Sequence, residues 1–245
     1  MACAGPLTRG VRDIETFMKA VLEYDCWSVD EGVLAVPWRD LSLRAPPSSK
    51  LTLGYLIEDP KYPVHPPVLG ALRTAIQKLE EAGHTIISIS EQLPPTVMSD
   101  VMESSWTDFA MDPSKTSFGH INKSGEPPIA SLATSGLPQL DHFNPELDDV
   151  FRINVERQSF KGVFREVYAN NGLDAVLMPT YQATAVAHDK YGVAVYTVLA
   201  NLLDYPAMTL PYQKADKQRD SEYWRYVSPM RDKELVGHGQ VVADT

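Results

Sequence analysis

The chain has 245 residues, 44% of them hydrophobic and 22% charged. That is globular composition, sufficient for one substantial core, and it excludes a disordered, collagenous or coiled-coil chain. Twenty-two Lys and Arg against 32 Asp and Glu leave a net charge of −10, which repels phosphate backbones and anionic bilayers, so neither nucleic acid nor a membrane surface is expected as a partner.

Two cysteines, Cys3 and Cys26, supply no disulfide framework. One bridge between them is open on counting alone, and two free thiols in a reducing compartment is the simpler reading. Met1 to Pro6 lacks a basic segment followed by an apolar one, and no run approaches the ~20 apolar residues of a membrane span. The expectation is a soluble, cytoplasmic protein.

Prolines outnumber glycines, 19 to 14, and pairs such as Pro46-Pro47, Pro66-Pro67, Pro94-Pro95 and Pro127-Pro128 punctuate the chain, because proline stops helices and central strands. Val11, Ile14, Phe17, Met18, Val21 and Leu22 recur at helical spacing and predict a helix over 11–24. Leu51 to Ile57 reads as a strand. Pro66-Pro67 opens a helix with Val68, Leu72, Ala75, Ile76 and Leu79 as its apolar stripe and Gly83 as its stop. His84 to Ile89 is a second strand. Residues 51–89 thus predict a β-α-β unit with parallel strands.

Residues 94–112 read as a helix through Val97, Val101, Met102 and Phe109. Residues 115–144 are rich in Gly, Pro, Ser and Asn and read as irregular. A long helix follows over 146–170, with Leu147, Val150, Phe151, Val155, Phe160, Val163, Phe164 and Val167 as its apolar positions. Asn171-Gly172 caps it, and Asp174 to Pro179 is a strand. Residues 191–203 predict a helix and 207–211 a short strand. Alternation of helices with short apolar strands gives an α/β class.

Motifs with a fixed mechanism are missing. No phosphate loop, dinucleotide fingerprint, His-Glu-x-x-His, Cys-x-x-Cys or Gly-x-Ser-x-Gly elbow occurs, and the six histidines are scattered, so neither metal nor cofactor is expected. His188-Asp189 reads as a base near a strand's carboxyl end or as a loop histidine bonded locally. The second is favoured, because adjacent residues poorly orient one another. Ser48-Ser49-Lys50 invites a Ser–Lys reading, but its place between Pro46-Pro47 and a strand is that of a linker. Trp38, Trp106, Tyr181, Tyr191, Tyr196 and Tyr205 fall near element ends and line a pocket or pack the core, with nothing to decide between the two.

Gly5-Pro6-Leu7-Thr8-Arg9-x-Val11-Arg12-Asp13 resembles the Gly-Pro-(Leu/Met)-x-Arg-x-Val-x-Asp stretch of the amidase signature family. His65-Pro66-Pro67-Val68 ahead of a helix, Ala82-Gly83-His84 after it, and Gly172 to Pro179 are similar to that family too. Ala187-His188-Asp189 through Tyr196-Thr197, then Asn201 to Ala207, resemble its fungal acetamidase-like branch. Together these segments run from Gly5 to about Asp216. The resemblance implies part of the amidase-signature fold, a mixed sheet flanked by helices, in one shortened domain over 1–245. It implies hydrolysis of carboxamide C–N bonds to an acid plus ammonia or an amine.

In the family a Ser–Ser–Lys triad does this work. Lysine activates one serine, which activates the nucleophilic serine, and backbone N–H groups hold the oxyanion. The triad lies ahead of the Gly-Pro-Leu stretch, which begins here at Gly5, so no residue of this chain takes a catalytic role. Met230 to Leu235 resembles the family's closing segment, but the Gly-x-Pro-x-x-x-Gln strand normally before it is missing. The expectations are therefore a chain inactive alone, and either reduced stability or a covering partner, homo-oligomeric or not. The alternative function is an inactive accessory or scaffold of a fungal secondary-metabolite pathway. For a small amide or acyl substrate, the candidate binding residues are Trp38, Met102, Trp106, Tyr181, His188 and Tyr196, chosen for aromatic or soft apolar character near strand ends.

Overall fold

The structure, a computed structural model, describes residues 5–38, 49–130, 132, 137–189 and 191–221. The chain divides into two compact units, Ala2–Lys50 and Leu51–Thr245. The first holds helix α1 (Val11–Glu23) and a short turn at Cys26–Ser28. Helix α1 runs where the apolar spacing predicts it, with Glu15 and Lys19 paired at 2.8 Å one turn apart. None of its residues is fully buried.

The second unit is built on three strands, β1 (Thr52–Tyr55), β2 (Thr85–Ser88) and β3 (Ala175–Leu177), in the order β2-β1-β3. Both pairings are parallel. Leu53 faces Ile86 on one side and Ala175 on the other, and Gly54 faces Ile87 and Val176. Parallel strands need a crossover connection. Helix α2 (Pro66–Glu81) supplies it between β1 and β2, so the β-α-β unit is present as expected. All described strands are parallel, so an antiparallel member of a mixed sheet is not among the described residues. The family's closing segment at 230–235 also lies outside them.

Helix ends follow local chemistry. Gly83 (φ 85°) takes the left-handed conformation after α2. Its N–H donates to Glu80 O at 2.8 Å, and the His84 N–H donates to Leu79 O at 3.0 Å. This pair of bonds satisfies the last carbonyls of the helix. Gly172 (φ 58°) repeats the arrangement after α5 (Leu147–Asn171), with bonds to Ala169 O and from Leu173 N–H to Tyr168 O. At the other end of α5 the Glu146 N–H donates to Asp149 Oδ2 at 3.0 Å. That bond, aided by Arg152, lowers the Asp149 pKa.

Helices α3 (Val97–Phe109), α5 and α6 (Val198–Leu203) pack on one another. Val97, Met98, Val101 and Met102 from α3 meet Phe164 and Val167 of α5 and Leu199, Leu202 and Leu203 of α6 in one buried cluster, joined by Leu56, Ile89 and Tyr196. At about 25 cal/mol per Å² of apolar surface removed from water, such side chains contribute about 1.5–3 kcal/mol each.

Five expectations change. In α2 the predicted stripe from Val68 to Leu79 is only half-buried, and the enclosed residues are Pro66, Pro67, Leu69 and Gly70 of the first turns. In α5 the first half of the apolar set is exposed: Leu147, Val150, Phe151 and Val155. At 100° per residue Leu147, Phe151 and Val155 lie across the helix from Ile153, Phe164 and Val167, which are buried, and Val150 lies at the margin of the buried face. The irregular stretch contains helix α4 (Thr116–Ser124) and a turn at Pro138–Leu140. The C-terminal helix covers only Val198–Leu203, and 207–211 is exposed coil, with Pro206 and Pro211 lacking the N–H a ladder needs. No described helix is long and apolar enough to cross a membrane.

Candidate functional site

Open parallel sheets gather ligands at the carboxyl ends of their strands, where the following loops meet. Here those are residues 56–65 after β1, 89–96 after β2 and 178–197 after β3. Asp59-Pro60-Lys61 forms a tight turn, in which the Lys61 N–H donates to Asp59 Oδ1 at 2.7 Å. An aspartate side chain that captures the N–H two residues on mimics a backbone turn. The other carboxylate oxygen accepts from the Ser99 N–H at 3.2 Å and the Ser99 hydroxyl at 3.1 Å, in the first turn of α3. Asp59 is 2% exposed. An anion at a helix N-terminus meets unpaired N–H groups and the favourable end of the dipole.

Tyr196, from the loop after β3, closes the arrangement. Its hydroxyl accepts from the Asp59 N–H at 3.0 Å and donates to Tyr62 O at 2.5 Å. The same two loops meet again where the His65 N–H donates to Gln182 O at 2.7 Å. Glu58 accepts from the Val64 N–H at 2.9 Å. Loop 56–65 is therefore fixed from within and from two neighbours. At its edge Lys61 bonds Glu103 at 2.9 Å, which raises the lysine's pKa, and burial raises that of Tyr62.

The sequence-chosen residues fall into three places. Met102, Trp106 and Tyr196 come together: Met102 and Tyr196 are wholly enclosed in the core, and Trp106 packs against it. The Trp106 Nε1–H donates to Ala194 O at 3.1 Å, tying α3 to the segment that carries Tyr196. Tyr181 stacks on Tyr191, with ring centres 4.8 Å apart and an 18° tilt, and its hydroxyl accepts from the Gly192 N–H at 3.3 Å. Partial burial raises the Tyr191 pKa. His188 is exposed on the same loop, beside Asp189 in a left-handed conformation (φ 61°). Trp38 belongs to the 2–50 unit.

Asp59, Ser99 and Gln182 were not singled out by the sequence reading. The Asp59-Pro60 pair was an available signal for the first, since Asp before Pro starts turns. The partner of Ser99 lies 40 residues away, and Gln182 Nε2 donates to Pro63 O across 119 residues, beyond any local pattern.

Three serines of α3 are engaged in structure. Ser105 donates to Val101 O at 2.7 Å, Ser99 to Asp59, and Ser104 to Glu156 at 3.4 Å. Lys161 bonds Asp204 and Lys61 bonds Glu103. These contacts direct serine hydroxyls to carbonyls and carboxylates, not to an amine that could take their protons.

A three-strand parallel sheet, helices beside it and interlocked loops at the strand ends define part of an α/β enzyme fold. The family profile described as Amidase matches residues 1–234, and the chain belongs to the amidase family. It is 33% identical over 220 residues to an amidase of Gibberella moniliformis, a match that covers 89% of this chain and 40% of that protein. It is 27% identical over 231 residues to an acetamidase of Emericella nidulans, again across 89% of this chain and 40% of the relative. Among solved structures, a fatty acid amide hydrolase superposes with a TM-score of 0.71 at 27% identity, covering 82% of this chain and 34% of the other. The chain thus spans about two fifths of the length of the curated relatives it matches.

Proposed function

We propose that residues 1–245 form the substrate-enclosing part of an acetamidase-like carboxamide hydrolase, and that they hold an amide or its acyl group without cleaving it. The reaction class, conversion of a carboxamide to an acid plus ammonia or an amine, is that of the family. The Ser–Ser–Lys chemistry is not supplied by this chain. The observation that carries the reading is the bonding of Ser99, Ser104 and Ser105, whose hydroxyls face Asp59, Glu156 and Val101 O. A hydroxyl is a weak nucleophile until a base takes its proton: the Val101 carbonyl is no base, the Asp59 carboxylate is already occupied by backbone N–H groups, and the Ser104–Glu156 contact is long, at 3.4 Å.

The test is ammonia release by the purified chain from acetamide and from longer aliphatic and aryl carboxamides. No turnover is expected from the chain alone. Turnover is expected when it is co-expressed with the portion of the Gibberella moniliformis amidase that precedes the matched region. Hydrolysis by the chain alone overturns the reading.

A second reading is a non-catalytic scaffold held by a covering partner. The exposed apolar row on α5, Leu147, Phe151 and Val155 at 69%, 62% and 70% exposure, supports it. A helix apolar on opposite faces is ordinarily covered on both.

A further inference from the structure

Asn171-Gly172, the pair that ends α5, is the only Asn-Gly pair in the chain. That pair has a chemistry of its own. Once the Gly172 amide nitrogen gives its proton to water it is a nucleophile within reach of Asn171 Cγ, and glycine has no side chain to hinder the approach. The new N–Cγ bond closes a succinimide, the Cγ–Nδ2 bond breaks, and the nitrogen leaves as ammonia, taking its proton from water. Water then adds to one of the two imide carbonyls. Opening at Cγ gives aspartate. Opening at the backbone carbon gives isoaspartate, in which the main chain runs through the side-chain carbon. Asparagine and water become an acidic residue and ammonia, with no oxidant or cofactor.

The fold holds both reacting groups. Asn171 Nδ2 donates to Val167 O at 2.8 Å and to Gln92 Oε1 at 2.7 Å, and Asn171 Oδ1 accepts from Gln92 Nε2 at 3.3 Å. Gln92 comes from the short turn Ser90–Gln92 after β2, so the side-chain amide is pinned from 79 residues away. The Gly172 N–H donates to Ala169 O at 3.3 Å, which keeps its proton in place. Asn171 is only half-buried, so water reaches it as soon as these bonds open.

We propose that Asn171-Gly172 is a self-modification site whose rate is set by local opening of the α5 terminus. The product weakens the lock that delayed it. A carboxylate has no hydrogen to give Val167 O or Gln92 Oε1, and it sets negative charge at the helix end that disfavours it. Isoaspartate adds a carbon to the main chain immediately before Gly172. The residues that follow carry the seam to the sheet: Leu173 N–H donates to Tyr168 O at 3.0 Å, Asp174 N–H to Thr52 O at 2.8 Å, and Thr52 N–H to Asp174 Oδ2 at 2.8 Å. One conversion therefore loosens the end of α5 and the entry to β3 together.

The full chain is incubated in mildly alkaline buffer, native and in guanidinium chloride, then digested at mildly acidic pH. Peptide mass spectrometry follows asparagine, aspartate and isoaspartate at position 171. In guanidinium, conversion is expected at Asn171 ahead of the chain's other asparagines. Native conversion is expected to be at least about tenfold slower, because the rate scales with the open fraction. Gln92→Ala removes the side-chain partner and is expected to raise the native rate about tenfold while leaving the guanidinium rate unchanged. Asp59→Asn, which weakens the fold elsewhere, is expected to raise the native rate less. If a variant fails to fold, the native and guanidinium rates of the unmodified chain decide. Equal rates in the two conditions overturn the proposal, as does a guanidinium rate at Asn171 no faster than at other asparagines. A native rate that Gln92→Ala leaves unmoved, or that both variants raise equally, overturns it too.

Discussion

The Asp59 carboxylate accepts both the backbone N–H and the hydroxyl of Ser99, at 3.2 and 3.1 Å, and is sealed from solvent while doing so. Two residues 40 positions apart thereby fix the first turn of α3 to the loop after β1. Asp59→Asn keeps the size but sets an NH₂ group or a weaker acceptor against two donors. A loss of about 1–3 kcal/mol is expected, read as a lower urea midpoint with an unchanged slope.

Tyr196→Phe removes one oxygen and takes the hydroxyl partner from the Asp59 N–H and the Tyr62 carbonyl. Stability is expected to fall by about 1–3 kcal/mol. For a chain of this length that is a melting temperature lower by roughly 2–4 °C per kcal/mol. Backbone exchange at Asp59 is expected to accelerate more than at Leu53 in β1. Equal acceleration at both would place the loss in the whole sheet and not in the loop.

Gly54 sits where β1 is crowded from three sides. A Cβ there would lie 2.9 Å from Leu173 Cδ1, 3.0 Å from Ile89 Cγ2 and 3.2 Å from Val176 Cγ2. The isoleucine and valine methyls are on stiff β-branched carbons and yield little. Gly54→Ala is expected to destabilise by about 1–3 kcal/mol through overpacking, despite alanine's lower entropy cost on folding. Thermal melting of the variant checks the sign, and a stabilised variant would show that the three neighbours relax freely.

Asp204 accepts from Lys161 and Arg157, each at 2.5 Å. The Lys161 hydrogen bond, then the Arg157 charge, holds its pKa below the ordinary carboxylate value. A carboxyl depressed in the folded state stabilises above its unfolded pKa and loses that contribution as pH falls through the folded one. Asp204→Asn, which keeps a residue tolerant of the left-handed φ of 56°, is therefore expected to lower the melting temperature modestly at pH 7. The effect should fade below about pH 4 and in high salt, because the carboxylate is more than half exposed. A difference that persists at pH 2 would assign the effect to packing.

Phe151→Ser tests the outer face of α5. If the row is solvent-facing, stability changes by within about 0.5 kcal/mol and solubility rises. If a partner or second copy covers it, sedimentation shows a smaller species after the substitution. An unchanged oligomer with an unchanged melting temperature would remove the case for a covered face.

The β-α-β unit was legible because its signals are local. Pro66-Pro67, Gly83 and two short apolar runs fall within forty residues, and each has one physical meaning. The resemblance to amidases was legible from Gly5-Pro6-Leu7 and Gly172 to Pro179. In contrast, α5 offers apolar residues on two sides, and periodicity alone does not say which side a domain will cover. The strand expected over 207–211 rested on apolar character between two prolines, and nothing among the described residues pairs with it. Of the candidate site residues, Tyr196 and Met102 lie inside the core cluster, because large apolar character near a strand end is shared by wall and filling alike. The interlock of Asp59, Ser99 and Tyr196 depends on polar pairs 40 and 137 residues apart, a separation at which sequence carries no pairing rule.

The central place of β1 in the β2-β1-β3 sheet sets an order of assembly. Its contact to the β2 side, from Leu51 to His84, spans 33 residues, while its contact to the β3 side, from Thr52 to Asp174, spans 122. Closing the longer loop costs about 1 kcal/mol more entropy, and non-local pairing is slow. During synthesis β1, α2 and β2 emerge well before β3, so one side of β1 stays open while the intervening helices are made. That nascent edge is where a ribosome-bound chain of this sequence is most exposed to mispairing.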